Sequence, residues 1–309
     1  MIEHLHIKNF MCFKELNIPT LKRVNLIAGK NNSGKTTLLD AVRILKSDGE
    51  HSVLNNILFT RKARKLNRED VYKILFNRNS NEHFFSINGY REFRIKEGGN
   101  YNIDIHEEDN FIEDLELDIS QKNFYDDELV YVPFYSIHEH LSDLWEMIVL
   151  TPKEDDVYEI LQDTIQPDLI RLDVGREIVR VRLKDTEKPV PLGTLGDGVY
   201  RILLIALSLA NAQNSILLID ELELGLHYSA LEKLWNMIFK YAQKWDIQVF
   251  ATTHSQDVLR TFHYVADDEK YINDAQYIRL QVNREGKNEA IIFDGERLRE
   301  SLELQLEIR

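Results

Sequence analysis

The chain has a single cysteine, Cys12, in 309 residues. One thiol excludes an intramolecular disulfide and any cysteine-ligated zinc centre, and it makes a reducing cytoplasm the expected compartment. Proline and glycine are sparse, at 6 and 13, which excludes collagen-like and low-complexity chains. Basic residues are in the minority: 38 Lys and Arg stand against 52 Asp and Glu, a formal charge of −14. Any contact with nucleic acid must therefore come from a local patch. Long apolar runs are missing as well. The longest, Ile202 to Asp220, is interrupted by Asn211, Gln213 and Asn214. It reads as a buried helix followed by a buried strand, and no membrane span is expected. The opening MIEHLHIKNF is charged and alternating, without the apolar centre of a secretory signal.

What is present is the composition of a compact folded chain, 43% hydrophobic and 29% charged, long enough to bury a sizeable core. Leu5 and Ile7, then Leu16 and Ile18, alternate with polar residues and predict a strand pair. Val24 to Ala28 is a continuous apolar run ending at Gly29, as in a buried parallel strand. A helix from about Lys35 carries Leu38, Leu39, Val42 and Leu45 on one face. From about Ser47 to Asn81 the chain is basic, with Arg61, Lys62, Arg64, Lys65, Arg68, Lys73 and Arg78. That stretch reads as an insertion with a short helix around Asp70 to Phe76. Asn88-Gly89 marks a tight hairpin, YNIDI and LELDI continue the alternation, and the acidic stretch from Asp104 to Glu128 is expected to edge an antiparallel lobe. Val157, Ile160, Leu161 and Ile165 predict a helix over 155–165 closed by Pro167. LIRLDV and IVRVRL predict a second hairpin. An apolar helix after Gly198, the strand SILLID, a helix bearing Leu231, Leu234, Trp235, Ile238 and Phe239, and the strand IQVFATT then follow. Strand, helix and strand at this spacing form the parallel α/β unit. The expected organisation is one domain over 1–309, with a core from 1–46 and 168–309, an inserted lobe at 47–130 and a helical part at 131–167.

Two motifs carry chemistry. Gly29-Lys30-Asn31-Asn32-Ser33-Gly34-Lys35-Thr36 matches G-x-x-x-x-G-K-[ST] at every fixed position, between a predicted strand and a predicted helix. The glycines let backbone N–H groups close around phosphates, and the helix N-terminus adds positive charge. Lys35 then reaches the β- and γ-phosphates, while the Thr36 hydroxyl binds Mg²⁺. Thr37 continues the first turn of the same helix and is included in the site. Ile216 to Glu221 is an apolar run ending in two carboxylates. Alone, such an ending also suits a solvated strand end. Beside a phosphate loop, Asp220 becomes a magnesium ligand and Glu221 the group that orients or deprotonates the attacking water.

These residues resemble the ABC-type ATPases, in their SMC, RecF and OLD-like branch, which includes stand-alone AAA-type ATP-binding proteins of bacterial defence and repair systems. HLHIKNFMCF is similar to the first strand of that branch. Leu195-Gly196-Asp197-Gly198 stands where the family places its signature motif, with Gly196 at the signature serine position. Glu223-Leu224-Gly225-Leu226-His227 follows the acids as the D-loop does, and Thr252-Thr253-His254-Ser255 ends the next strand where the switch histidine lies. The resemblance covers most of the chain outside about residues 47 to 130. It implies an ABC-ATPase-like P-loop fold with a mixed, largely parallel central sheet, an antiparallel β lobe and an inserted, partly helical segment.

The resemblance further implies ATP and Mg²⁺ as substrate and cofactor. It also implies a homodimer, or a higher oligomer built on it, in which Leu195, Gly196, Asp197 and Gly198 of one copy cover the γ-phosphate held by the other. Gly196 to Gly198 opens an apolar helix, so free N–H groups there can meet an anion from outside. His254 reads either as a strand-end histidine or as the γ-phosphate sensor. The family's glutamine lid has no evident counterpart. The distance from Lys35 to Asp220 leaves no room for SMC coiled-coil arms, whose heptads are missing. About 55 residues after His254, ending in a helix with Leu298, Leu302 and Leu306, are too few for a fused nuclease domain. The functional expectation is an ATPase that controls a separately encoded effector in a defence-type system. The alternatives are a RecF-like repair ATPase touching DNA through the basic run at 61–78, which is otherwise a solvated face, and a nucleotide-switch scaffold with little turnover.

Overall fold

The computed structural model describes residues 1–47, 50–61, 74–75, 77, 84–88, 91–95, 101–105, 125–126, 129–134, 137–176, 178–196, 198–294 and 297. Most of the basic run and of the helix expected at 70–76, the LELDI strand, Asp197 and the helix of Leu298, Leu302 and Leu306 lie outside the described residues.

The first strands are β1 (Leu5–Phe10), β2 (Phe13–Ile18), β3 (Val24–Gly29), β4 (Phe84–Ile87), β5 (Arg91–Ile95), β6 (Tyr101–Ile105), β7 (Tyr125–Asp126) and β8 (Leu129–Val132). They are followed by β9 (Leu169–Val174), β10 (Val179–Leu183), β11 (Val190–Pro191), β12 (Ile216–Ile219), β13 (Gln248–Thr253), β14 (Ala275–Val282) and β15 (Asn288–Asp294). The helices are α1 (Lys35–Lys46), α2 (His51–Thr60), α3 (Ile137–Glu146), α4 (Pro152–Thr164), α5 (Val199–Asn211), α6 (Leu231–Lys244) and α7 (Gln256–Ala266).

The large sheet runs β15-β14-β3-β13-β12-β8-β7, with β14, β3, β13, β12 and β8 mutually parallel and antiparallel strands at both edges. Its inner strands β3, β13, β12 and β8 are buried on both faces, and successive side chains divide between two cores. Leu217 and Ile219 of β12 pack with α3 to α7, whereas Ile216 and Leu218 pack with α1, α2 and the antiparallel sheet. That second sheet runs β2-β1-β4-β5-β6, so the expected strand pair and antiparallel lobe are one structure. A third, β11-β10-β9, contains the LIRLDV/VRVRL hairpin. Each fully buried Leu or Ile in these layers contributes about 1.5–3 kcal/mol.

Several elements differ from expectation. Helix α4 begins at Pro152, three residues before Asp155, because Thr151 is extended and proline suits the first helical turn. Strand β8 was not anticipated. It is only LVYV, yet all four residues are buried beside β12, and the boundary drawn at residue 130 falls inside it. Strands β14 and β15 come from the stretch after His254, where no strands were expected. Among the described residues no helix is long and apolar enough to cross a membrane.

Since β3, β8, β12 and β13 are parallel, their C-terminal ends share one edge of the sheet, the edge where open α/β sheets place ligands. The loop after β3, Phe134 after β8, the acids after β12 and His254 after β13 all emerge there.

Candidate functional site

The loop after β3 has little latitude. A Cβ at Gly29 would lie 2.4 Å from the Leu280 carbonyl oxygen and 2.5 Å from Ser33 Oγ, so the strand can turn there only as glycine. Asn32 and Gly34 adopt left-handed φ values of 65° and 99°, which curl the backbone around a hollow. Asn288 on β15 donates to the Ser33 carbonyl at 3.3 Å and pins the loop from the side. Helix α1 starts at Lys35 with no side-chain cap, leaving its first N–H groups directed at the hollow. Lys35 Nζ donates to the carbonyls of Gly29 at 2.9 Å and Lys30 at 3.3 Å. Burial holds its ammonium below the ordinary lysine value, against the pull of Asp220, Glu221 and Glu223.

The acids arrive at the same place. Thr36 Oγ1 donates to Asp220 Oδ2 at 3.1 Å, and Thr252 Oγ1 donates to Asp220 Oδ1 at 2.5 Å. Asp220 is 1% exposed. Burial pushes its carboxyl up from the usual range, and the hydrogen bonds from Thr252 and Thr36 oppose that shift. The Glu221 N–H donates to Thr252 Oγ1 at 2.9 Å, and Glu221 takes a φ of 49°, a conformation uncommon and costly for a non-glycine residue. Lys35, Thr36, Asp220 and Glu221 line one cleft of about 590 Å³, with Asn31, Asn32, Gly34 and Thr37 on the loop side and Thr60, Arg61, Tyr131 and Phe134 on the other.

Three further groups shape this cleft, and none was given a role in it from the sequence. Thr252 bridges both acids; it was visible only as the second residue of ATTHS. Arg61, the one basic-run arginine among the described residues, turns inward. It donates to Asp40 Oδ2 at 2.7 Å and to Thr37 Oγ1 at 3.4 Å. Arg201, 1% exposed on α5, donates to the carbonyls of Asp220 at 2.7 Å, Glu221 at 3.0 Å and Pro133 at 2.9 Å. Burial brings its guanidinium down to about 10, with Asp220, Glu223 and Glu221 countering, so it remains cationic at neutral pH. A lone charge in the apolar run VYRILLIALSLAN was its only sequence signal.

Among the described residues, His254, Leu195, Gly196 and Gly198 do not line the cleft. His254 is about half exposed, and its Nδ1 lies 3.0 Å from Glu223 Oε1, which also accepts from the His254 main-chain N–H. Leu195 ends a short 3₁₀ turn, Gly196 has φ of 129° with open space where a Cβ would stand, and Gly198 begins α5 without a side-chain cap. Gly198 packs against the D-loop, where a Cβ would meet the Gly225 carbonyl oxygen at 3.0 Å. Asp197 lies outside the described residues.

The donor set fits a magnesium ion shared with a nucleotide. Thr36 and Asp220 offer hard oxygens in contact with each other. Among the described residues no group of three or more His, Cys, Asp or Glu side chains could cage a metal, so phosphate oxygens would complete the shell, as magnesium prefers.

A parallel sheet with a phosphate loop and an acid pair at one edge defines an ABC-type nucleotide hydrolase of the SMC-like branch. The fold is similar to the SMC head bound to the C-winged helix domain of ScpA, with a TM-score of 0.62 at 14% identity over 97% of this chain and 99% of that one. It is also similar to the SMC head domain from Thermotoga maritima, with a TM-score of 0.53 at 14% identity over 94% and 97%. In sequence the chain is 23% identical to an ATP/GTP phosphatase of Helicobacter pylori (strain ATCC 700392 / 26695), over 91% of this chain and 92% of that protein. Residues 24–260 match the family described as AAA domain, putative AbiEii toxin, Type IV TA system, and the chain belongs to it.

Proposed function

We propose that this protein hydrolyses ATP between two copies of itself and uses the resulting closed and open states to control a separately encoded effector. The observation that carries the hydrolytic reading is the gathering of Lys35, Thr36, Asp220 and Glu221, distant along the chain, around a single cleft. The loop N–H groups from Gly29 to Thr37 bind the triphosphate, and Lys35 exchanges its two carbonyl partners for phosphate oxygens. Thr36 and Asp220 hold Mg²⁺, which when bound neutralises charge on the phosphates. Glu221 accepts a proton from the attacking water, its main chain fixed by Thr252. Glu223 orients His254, which senses the γ-phosphate.

Dimerisation is favoured by the position of the Leu195 to Gly198 turn. Leu195, Gly196 and Gly198 do not line their own cleft, and α5 starts without a side-chain cap, which leaves its first N–H groups to donate to an anion. A second copy's nucleotide satisfies them. The effector reading draws on the family description, which mentions a toxin of a type IV toxin–antitoxin system. The relative's name makes GTP a second substrate to assay.

The test is phosphate release together with sedimentation in MgATP. Glu221→Gln keeps nucleotide binding, loses turnover by at least about a hundredfold and accumulates as a dimer, whereas Lys35→Ala loses binding and dimer alike. Parental turnover by Glu221→Gln would remove the proton-accepting role. Stimulation by DNA that fades with salt would move the protein to the RecF-like reading.

A further inference from the structure

We propose that Arg201 is a positioning residue for hydrolysis: it holds the Glu221 main chain in place and ties that placement to the first turn of α5. The proposal rests on the proton-accepting role of Glu221 and adds the group that orients it.

Arg201 is the only charged residue in α5, and its side chain is buried. Among the described residues it contacts no carboxylate oxygen directly. All three of its side-chain hydrogen bonds go to main-chain carbonyls at the C-terminal ends of two neighbouring strands, Pro133 after β8 and Asp220 and Glu221 after β12. Those ends carry the cleft residues Phe134, Asp220 and Glu221. A planar fork of donors can span both strand ends at once, which an ammonium cannot. Its Nε is buried, with no hydrogen-bond partner among the described residues. A residue chosen for stability alone would not be a buried cation with an unmet donor, since apolar replacements of such groups are often neutral or better.

Glu221 is where such a clamp matters. Its φ of 49° is unfavourable for a residue with a side chain, so the surroundings must over-determine it. Thr252 holds its N–H and Arg201 its carbonyl. The two hydrogen bonds fix both peptide planes flanking the Glu221 Cα, and so fix the direction in which its carboxylate leaves the backbone. The other end of the link is the signature turn. The Arg201 N–H donates to the Gly198 carbonyl at 3.1 Å, and Gly198 packs on Gly225 of the D-loop. A shift of that turn is therefore passed to the Glu221 peptide through one side chain.

The experiment uses the full chain with R201K, which keeps charge and length, and R201Q, which keeps two donors without the charge. The expected result is a fall in kcat of about tenfold or more for R201K, with KM and the Kd for MgATP within about twofold of the parent. R201Q should be slower again. In the E221Q background, adding R201K should leave single-turnover hydrolysis unchanged, because two residues acting as one unit are not additive. Parental kcat in R201K overturns the proposal. So does a loss confined to KM and Kd, an equal further loss in the E221Q background, or failure of both variants to fold, which would make Arg201 structural. Parental turnover by E221Q alone is a separate outcome that removes the role of Glu221 itself.

Discussion

A methyl group at Gly34 would meet the Phe13 ring at 2.5 Å and Cys12 Sγ at 2.9 Å, on a backbone with φ of 99°. At Gly196 φ is 129°, yet nothing lies within 4 Å of the added carbon. The two glycines therefore answer differently to the same substitution. Gly34→Ala should cost about 2–3 kcal/mol, from backbone strain plus a collision with an aromatic ring that is itself fully buried, and should weaken MgATP binding because the loop must shift. Gly196→Ala should cost only the strain of a glycine-favoured backbone with φ of 129° and ψ of 163°, about 1–2 kcal/mol, and leave MgATP binding by the isolated subunit intact. Urea midpoints and nucleotide titrations of the pair check this, and equal effects at both positions would contradict it.

Helix α7 links the site to the rest of the sheet, and its two ends make separate predictions. Ser255 caps it by accepting from the Asp257 N–H at 3.2 Å and the Val258 N–H at 3.5 Å. Ser255→Ala should lower stability by about 1 kcal/mol, read as a shift in thermal midpoint. Near the other end His263 is buried between Phe262 and Tyr277, with no hydrogen-bond partner for either ring nitrogen among the described residues. Burial pushes its pKa down from 6.5 to about 4. Below pH 6.5 the unfolded chain binds a proton there that the folded chain refuses until about pH 4. Its contribution is thus full above 6.5 and declines as pH falls toward 4, by up to about 3 kcal/mol. Comparing unfolding free energies of the parent and His263→Phe at pH 7 and 4.5 should show a steeper loss in the parent. Parallel curves would mean that the ring is hydrated.

For the molecule as a whole, the proposed nucleotide-bridged dimer couples stability to concentration. MgATP at a hundredfold excess over its Kd should raise the stability of the parent by about 2.7 kcal/mol and leave Lys35→Ala unchanged. In Glu221→Gln with saturating MgATP, the melting temperature should also rise with protein concentration, because unfolding then includes dissociation. Calorimetry at two protein concentrations tests this, and a concentration-independent melt would argue for nucleotide binding within a single subunit.

The phosphate loop, its flanking strand and helix, and the acids after SILLID were legible because each is local: a fixed spacing next to an apolar run of the right length. So were the β9–β10 hairpin and the helices with a clear apolar stripe. Strand β8 was not, since four apolar residues carry too little periodicity to be told from a loop until β12 is seen beside them. Nor were β14, whose pairing with β3 joins segments some 250 residues apart, and β15, which pairs with β14. Separations of 19 to 32 residues, shorter but still beyond any local pattern, hid Thr252 between Asp220 and Glu221, Glu223 beneath His254 and Arg201 behind the acid pair. Residue types alone established which chemistry the chain carries, because a phosphate needs glycines, a lysine and a helix start in one short stretch. Which way the Glu221 carboxylate faces, and what holds it there, follows only from strand order and burial, because hydrogen bonds between remote strand ends leave no spacing to read.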